Sequence, residues 1–464
     1  MEALLIQLFA FFIVFRMYKA EGVDRLAWFM FGILFISDNF VMFQAYPTTS
    51  SRFFIFFLFL IQLVKSKFWV KVKYFPLKAS ISLILIGFLI IALFDSRLNL
   101  NLVKILNRSL GYFFDNFFVM VLTFMLVRDI NDFIKIYRII LFFFLAFGVY
   151  GLYNYVTGNN FYSAFVSHAF GFVDYAEVYT SGHDGRYRIT SFTWHPIYYG
   201  FLLTIAILMN IFLLGNLSFK KTNKNHFIAI IFILIINLFM VNSRTPFFAF
   251  LGGAAVYFIW GLGLGKKIQI AFITIFVMNL TITFIPQVND FVTSSFDTFS
   301  SKGSKLEGSS VELRNYQLAS SVLIFNKSPI TGNGFSYIEE NLGFKGKAED
   351  RASDSSFAGF ESYLYKLLIE QGIVGMVTQL IFSIALILYL IRNYLLAKSS
   401  FAKRLAILTL GMFLSFLLFI FGTGDLGTFK FFMAIIGINI KGLEYFKYAD
   451  RKKDDFQSEK LIPV

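Results

Sequence analysis

Residues 196–215 read PIYYGFLLTIAILMNIFLLG, twenty positions without a charge, opened by a proline of the kind that suits the first turn of a helix. A helix of that length rises about 30 Å, the thickness of a bilayer's hydrocarbon core, and satisfies its own backbone polar groups. Runs of the same character recur near 2–17, 26–44, 51–64, 79–96, 108–127, 137–156, 226–242, 245–263, 268–286, 364–391, 404–422 and 428–440. The third and last are short, and the first fits an interfacial helix as well as a span. The pattern predicts an all-α fold, a polytopic transmembrane helix bundle of about 12–14 spans, with a large, partly helical extracytoplasmic loop. The first apolar run leads into FRMYKAEGVDR without a small-residue cleavage site, so it is expected to stay as a helix.

Composition agrees. The chain of 464 residues is 57% hydrophobic and 15% charged, with mean hydropathy +0.68, against about 45–50% apolar and about 25% charged in soluble domains. A net charge of +14 raises the question of nucleic acid. The lysines and arginines, however, sit in short clusters between apolar runs rather than on one face, which points to anionic lipid headgroups and away from nucleic acid. The absence of cysteine removes disulfides, a thiol nucleophile and thiolate metal sites. The four histidines show no HxxxH or HExxH spacing, so neither a metal nor another cofactor is expected.

Charge also orients the chain. Alternate connections carry twenty lysines and arginines, among them Lys65, Lys71, Arg128, Lys135, Lys220 and Lys403. The short opposite loops hold six, Arg52, Arg97, Lys104, Arg108, Arg244 and Lys430. By the positive-inside rule the richer set is cytoplasmic, with the basic tail 441–464. The expected organisation is one integral membrane domain over 1–464, with a first outer loop at 157–195 and a large outer loop at 287–360. Asp38 and Asp115 fall inside spans and are costly there unless they face protein or water.

The first outer loop ends GHDGRYRITSFTWHPIYYG (182–200), setting Arg186, Arg188 and His195 just before a helix start. Cations there suit an anion or, equally, lipid headgroups. The connection NSRTP (242–246) is too short to leave the membrane surface, so Arg244 either snorkels or pairs with an anion. In the large outer loop a polar opening (293–310) is followed by VELRNYQLASSVLIFNKSPITGNGFSYIEENLG (311–343). Val311, Leu313, Leu318, Val322 and Leu323 predict an amphipathic helix in the interface plane, with Arg314 near its start. Gly332 and Gly334 permit close backbone approach or an ordinary turn. FESYLYKLLIEQGIVG (360–375) then re-enters the membrane, with Glu361 at the boundary and Glu370 deeper. Burial of Glu370 needs a partner or a wet cavity, and Lys366, one turn earlier, is a structural candidate.

Taken in this order, Arg188 with SFTWHP, the SRTP turn, LRNYQLASSVLIFNKSPITGNG and YLYKLLIEQGIVG resemble the O-antigen ligase and O-antigen polymerase family of bacterial membrane glycosyltransferases, over about residues 140–380. The resemblance implies a metal-independent enzyme of the bacterial cytoplasmic (inner) membrane, acting on its extracytoplasmic side in surface polysaccharide or lipopolysaccharide synthesis. Its donor would be an undecaprenyl-diphosphate-linked glycan. A polymerase transfers it to a lipid-linked repeat unit, with a chain-length regulator as partner protein; a ligase transfers it to lipid A core. Arg244 and Arg314 would stabilise the leaving diphosphate. Arg186, Arg188, His195, Gly332 and Gly334 would line the substrate site. Where ligases typically have His followed by Asn, this chain has Glu361 and Ser362, which makes Glu361 the candidate general base and favours polymerase. A secondary transporter or flippase is the alternative of another class. Such proteins carry charge within broken spans near the midplane, whereas here it concentrates in the outer loops.

Overall fold

The computed structural model describes residues 2–36, 49–65, 68–95, 102–170, 188–216, 221–261, 311–341, 362–424 and 427–459, with isolated positions between 263 and 272. Among them the fold is helical, with no strand: an all-α polytopic bundle. In chain order the helices are α1 (Glu2–Lys19), α2 (Gly22–Phe35), α3 (Ser50–Lys65), α4 (Phe68–Lys73), α5 (Lys78–Leu93), α6 (Leu102–Phe113), α7 (Val119–Phe124), α8 (Ile130–Thr157), α9 (Phe161–Phe170), α10 (Pro196–Asn216), α11 (Lys221–Met240), α12 (Arg244–Gly261), α13 (Val311–Phe325), α14 (Tyr337–Asn341), α15 (Tyr363–Leu396), α16 (Ser400–Thr423) and α17 (Thr428–Glu459).

Four of these, α8, α10, α15 and α16, are long and apolar enough to cross a membrane. Lys78–Leu93 and Lys224–Met240 are shorter apolar helices. The predicted span at 268–286 lies almost wholly outside the described residues. The last predicted span, 428–440, is the start of a helix that continues unbroken to Glu459. Exposed apolar side chains such as Leu8, Phe142, Leu380 and Leu388 stud the outer surface, as a lipid-facing surface requires and a water-facing one does not.

Local chemistry sets the helix ends. Asp129 caps α8 by accepting from Asp132 N–H at 2.9 Å, and the helix closes on Gly158 in the left-handed conformation. Ser362 caps α15, its hydroxyl accepting from Leu364 N–H at 3.3 Å. Between α6 and α7 the helix widens into one π turn, Phe114–Phe118. Asp115 sits in that turn and is buried. The cost anticipated for a carboxylate within a span is met by Arg52, whose Nη2 and Nε lie 2.8 and 2.9 Å from its Oδ2.

The core is aromatic, as 65 phenylalanines lead one to expect. Phe416 and Phe432 stack at 4.2 Å, joining α16 to α17. The closest helix pair is α12 with α16. Any side chain at Gly253 would overlap Ser415 Oγ, and Ser415 donates to Ala249 O at 2.7 Å, so small residues let the two backbones meet. That contact fixes α12, and with it Arg244, against the centre of the bundle.

Candidate functional site

α10, α12, α15 and α17 all run from one end of the bundle to the other in the same direction, and α8, α11 and α16 return. The N-termini of α10, α12 and α15 are therefore gathered at one end, with Gly424 at the finish of α16. Close contacts bear this out: a Cβ on Gly200 would stand 2.8 Å from the Pro246 ring, Thr204 Oγ1 donates to Pro246 O at 3.2 Å, and Gly422 faces Thr245.

Arg244 is the first residue of α12 and is partly buried. The turn before it is tight, with Asn242 at φ 49° and its N–H donating to Phe239 O at 3.0 Å, so the guanidinium is held where the helix N-terminus already favours an anion. Arg244 thus lies at the end of the bundle where α12 begins.

The approach to α10 is equally constrained. Ser191 takes φ 50°, and its hydroxyl donates to Phe147 O at 2.8 Å. Asn160 Nδ2 donates to Thr190 Oγ1 and Ser191 O at 2.7 and 2.8 Å. His195 is buried at 7% exposure, and its Nδ1 accepts from Ile197 N–H at 3.1 Å, capping α10. That bond needs an unprotonated Nδ1. Burial, with Arg188 as a second cause, lowers the imidazole pKa to about 3. His195 is thus a neutral cap, and Arg188, half-buried seven residues earlier, is the cation of this segment. Arg186 lies outside the described residues.

The glycine turn of the outer segment packs against a break in α15. α15 is interrupted at Gly372, which takes φ 60° and ψ −157°. The break releases carbonyls before it and N–H groups after it, and the segment 329–334 satisfies both. Asn333 N–H and Gly334 N–H donate to Ile369 O and Glu370 O at 2.9 and 3.0 Å; Ile373 N–H and Val374 N–H donate to Pro329 O and Ile330 O at 2.9 and 3.0 Å. Gly332, at φ 71°, lies so close that a Cβ would stand 2.5 Å from Gln371 N. The close approach that Gly332 and Gly334 permit is to the chain's own broken helix.

Several residues not singled out as site candidates lock this joint. Asn333 Nδ2 donates to Ile369 O at 2.9 Å and to Ile324 O at 3.3 Å, tying the end of α13 to the break. Lys104 reaches Glu340 at 2.8 Å, and Arg108 also bonds it; the Arg108 hydrogen bond holds that carboxyl well below the usual carboxylate range despite partial burial. Tyr363 hydroxyl donates to Gln379 Oε1 at 2.9 Å, and Gln379 Nε2 donates to Gln371 Oε1 at 2.8 Å, a polar chain beside Gly372. Glu370, 1% exposed, accepts from Ile338 N–H at 3.2 Å, in the first turn of α14. The NG pair inside GNG was the sequence signal for Asn333, and Glu370 stood out as a carboxylate in an apolar run; nothing local announced the others.

α13 carries Arg314 in its first turn and is the helix expected over this stretch; it packs on α15 with Gln317, Ser320, Ser321 and Ile324 buried, while Leu318, Val322 and Leu323 of the expected apolar face are exposed. The Arg314 side chain and all of Glu361 lie outside the described residues, though Glu361 immediately precedes the cap residue of α15. By its elements, then, the structure brings Arg188, His195, Arg244 and the Gly332–Gly372 joint to one end of the bundle. Among the described residues no group of His, Asp and Glu is placed to hold a metal ion.

Residues 229–380 match the family model described as O-antigen ligase, a region that takes in Arg244, Arg314, the joint and Glu370. No curated protein matches the chain.

Proposed function

From the match of residues 229–380 to the O-antigen ligase family model, we propose that this chain is a membrane glycosyltransferase of that family and a polysaccharide polymerase of the bacterial inner membrane. Its donor is a growing glycan on undecaprenyl diphosphate and its acceptor a lipid-linked repeat unit, both at the outer face. The acceptor hydroxyl attacks the anomeric carbon of the donor sugar, the bond from that carbon to the diphosphate oxygen breaks, and undecaprenyl diphosphate departs with the negative charge. Glu361 takes the hydroxyl proton. Arg244 and Arg314 hold the departing diphosphate with paired N–H donors, which need no metal, and Arg186 and Arg188 assist. A chain-length regulator is the expected protein partner.

The observation that carries this reading is the position of Arg244, directly after a three-residue turn at the start of α12, level with the bundle end where a diphosphate on a membrane-embedded tail must lie. Glu361 in place of a ligase-type His favours polymerase over ligase. The test is a gel of surface glycans from a strain lacking the chain. Polymerase predicts surface-attached single repeat units with transfer to the terminal acceptor intact; long chains accumulating on the lipid carrier would show a ligase instead. In the complemented strain Glu361→Gln should lower the rate by roughly 10²–10⁴-fold with little change in substrate binding, and wild-type rates would remove Glu361 as base.

A further inference from the structure

At the end of the bundle opposite Arg244, α1 and α2 meet around a cavity of about 510 Å³ lined by Arg16, Lys19, Glu21, Asp24, Ala27 and Trp28 among others. Its charges are unequally matched. Glu21 pairs with Arg128 of the neighbouring chain segment at 3.3 Å, and Asp24 pairs with Lys135 of α8 at 2.7 Å. Arg16 and Lys19 have no carboxylate partner among the described residues. Arg16 stands over the Trp28 ring at 4.9 Å and Lys19 over Phe15 at 5.6 Å. Two lone cations one helical turn apart, with both carboxylates already neutralised, leave the cavity net positive.

Its apolar surroundings continue the argument. Phe12 sits one turn before Arg16 on α1, 46% exposed, with its ring edge-on to Trp28 at 6.0 Å and parallel to that of Phe9 at 6.3 Å. Leu5, Leu8 and Phe9 extend the exposed strip along the helix. An apolar strip that ends in a tryptophan and two cations is matched by a molecule with a hydrocarbon chain joined to an anionic phosphodiester: chain along Phe9 and Phe12, phosphate between Arg16 and Lys19, glycerol backbone on the Trp28 face.

We propose that this cavity is a binding site for an anionic glycerophospholipid, at the end of the bundle away from the glycan-transfer site. It rests on α1, α2 and the pairs that Arg128 and Lys135 make with Glu21 and Asp24, and stands or falls separately from the polymerase reading.

The experiment uses the full chain in phosphatidylcholine nanodiscs, with Trp69, Trp194 and Trp260 changed to Phe so that Trp28 alone reports. Phosphatidylglycerol carrying brominated acyl chains is titrated in, against brominated phosphatidylcholine. Quenching of Trp28 should favour phosphatidylglycerol by roughly tenfold at low salt, and R16Q/K19Q should abolish the preference. Millimolar inorganic phosphate and glycerol 3-phosphate should leave the quenching unchanged. Equal quenching by the two lipids in the unsubstituted cavity would overturn the proposal, and needs no cavity variant to fold. Preference retained in R16Q/K19Q would overturn the assignment to these cations, and displacement by free phosphate would show a soluble-anion site instead.

Discussion

Gly332→Ala and Gly158→Ala place the same methyl group on two backbones of nearly the same conformation, φ 71° and φ 67°. Each substitution bears the cost of an L-residue in the left-handed region, about 1–2 kcal/mol. Their surroundings differ completely. Around Gly158 there is nothing within 4 Å of the new Cβ, whereas at Gly332 it would stand 2.5 Å from Gln371 N, on backbone that cannot swing away like a side chain. Restoring an ordinary contact requires the 329–334 segment to lift by about an ångström, and bonds of 2.9–3.0 Å to Ile369, Glu370, Ile373 and Val374 do not survive that. Four bonds at about 1 kcal/mol each with the backbone term make roughly 5–6 kcal/mol against the joint. That corresponds to about a 10⁴-fold rise in its opening equilibrium. Hydrogen exchange read by mass spectrometry should find the amides of Asn333, Gly334, Ile373 and Val374 protected in the wild type and exposed in Gly332→Ala. In Gly158→Ala they should be as protected as before. Unchanged protection of Ile373 and Val374 in Gly332→Ala would refute the account of the helix break, as would equal loosening in both variants.

Arg244→Ala and Arg314→Ala are each expected to leave the protein in the membrane at normal level and to abolish long-chain polymer on a glycan gel, with Lys restoring little because an ammonium lacks the two-pronged donor; full activity in Arg244→Ala would undo the proposed site. His195 contributes stability as a neutral cap. Its folded-state pKa of about 3 lies below the ordinary 6.5, so the contribution is whole above about pH 6.5 and erodes toward pH 3, by up to about 1.4 kcal/mol per unit. Thermal unfolding in detergent across that range should show a shallower slope for His195→Asn, which can cap without titrating, and identical slopes would count against the neutral assignment. For topology, cysteines placed at 157–195 should react with an impermeant thiol reagent in intact cells and cysteines at 65–78 should not; labelling of the latter set would reverse the orientation inferred from charge.

Which features were legible in the sequence follows from how far apart their partners lie. Apolar periodicity is local, so the helical character of 196–215, the interfacial pattern of 311–325 and the arrest of Arg244 at a tight turn could all be read directly. Asp115 and Glu370 were legible as problems, because a buried carboxylate demands a partner. The solutions were not: Arg52 lies on another helix, and the donor to Glu370 is a backbone N–H at Ile338 that no side-chain pattern encodes. GNG announced close approach without saying to what, since the matching break at Gly372 lies forty residues on and resembles any glycine in an apolar helix. His195 read as a structural residue or an acceptor contact from its place just before a helix start; the packing of α10 adds that its Nδ1 accepts from Ile197 N–H.

The joint at Gly372 has a bearing on engineering. Among the described residues, four main-chain bonds carry the outer segment across the break, and the side chains of Asn333 and Glu370 add to them. Those four main-chain bonds make no demand on side-chain identity beyond the glycines. An outer segment grafted from a similar chain should seat itself here provided it brings glycines at positions 332 and 334, an asparagine between them and a carboxylate at 340 for Lys104 and Arg108. The outer segment would then be exchangeable as a cassette, leaving the helices that anchor it untouched.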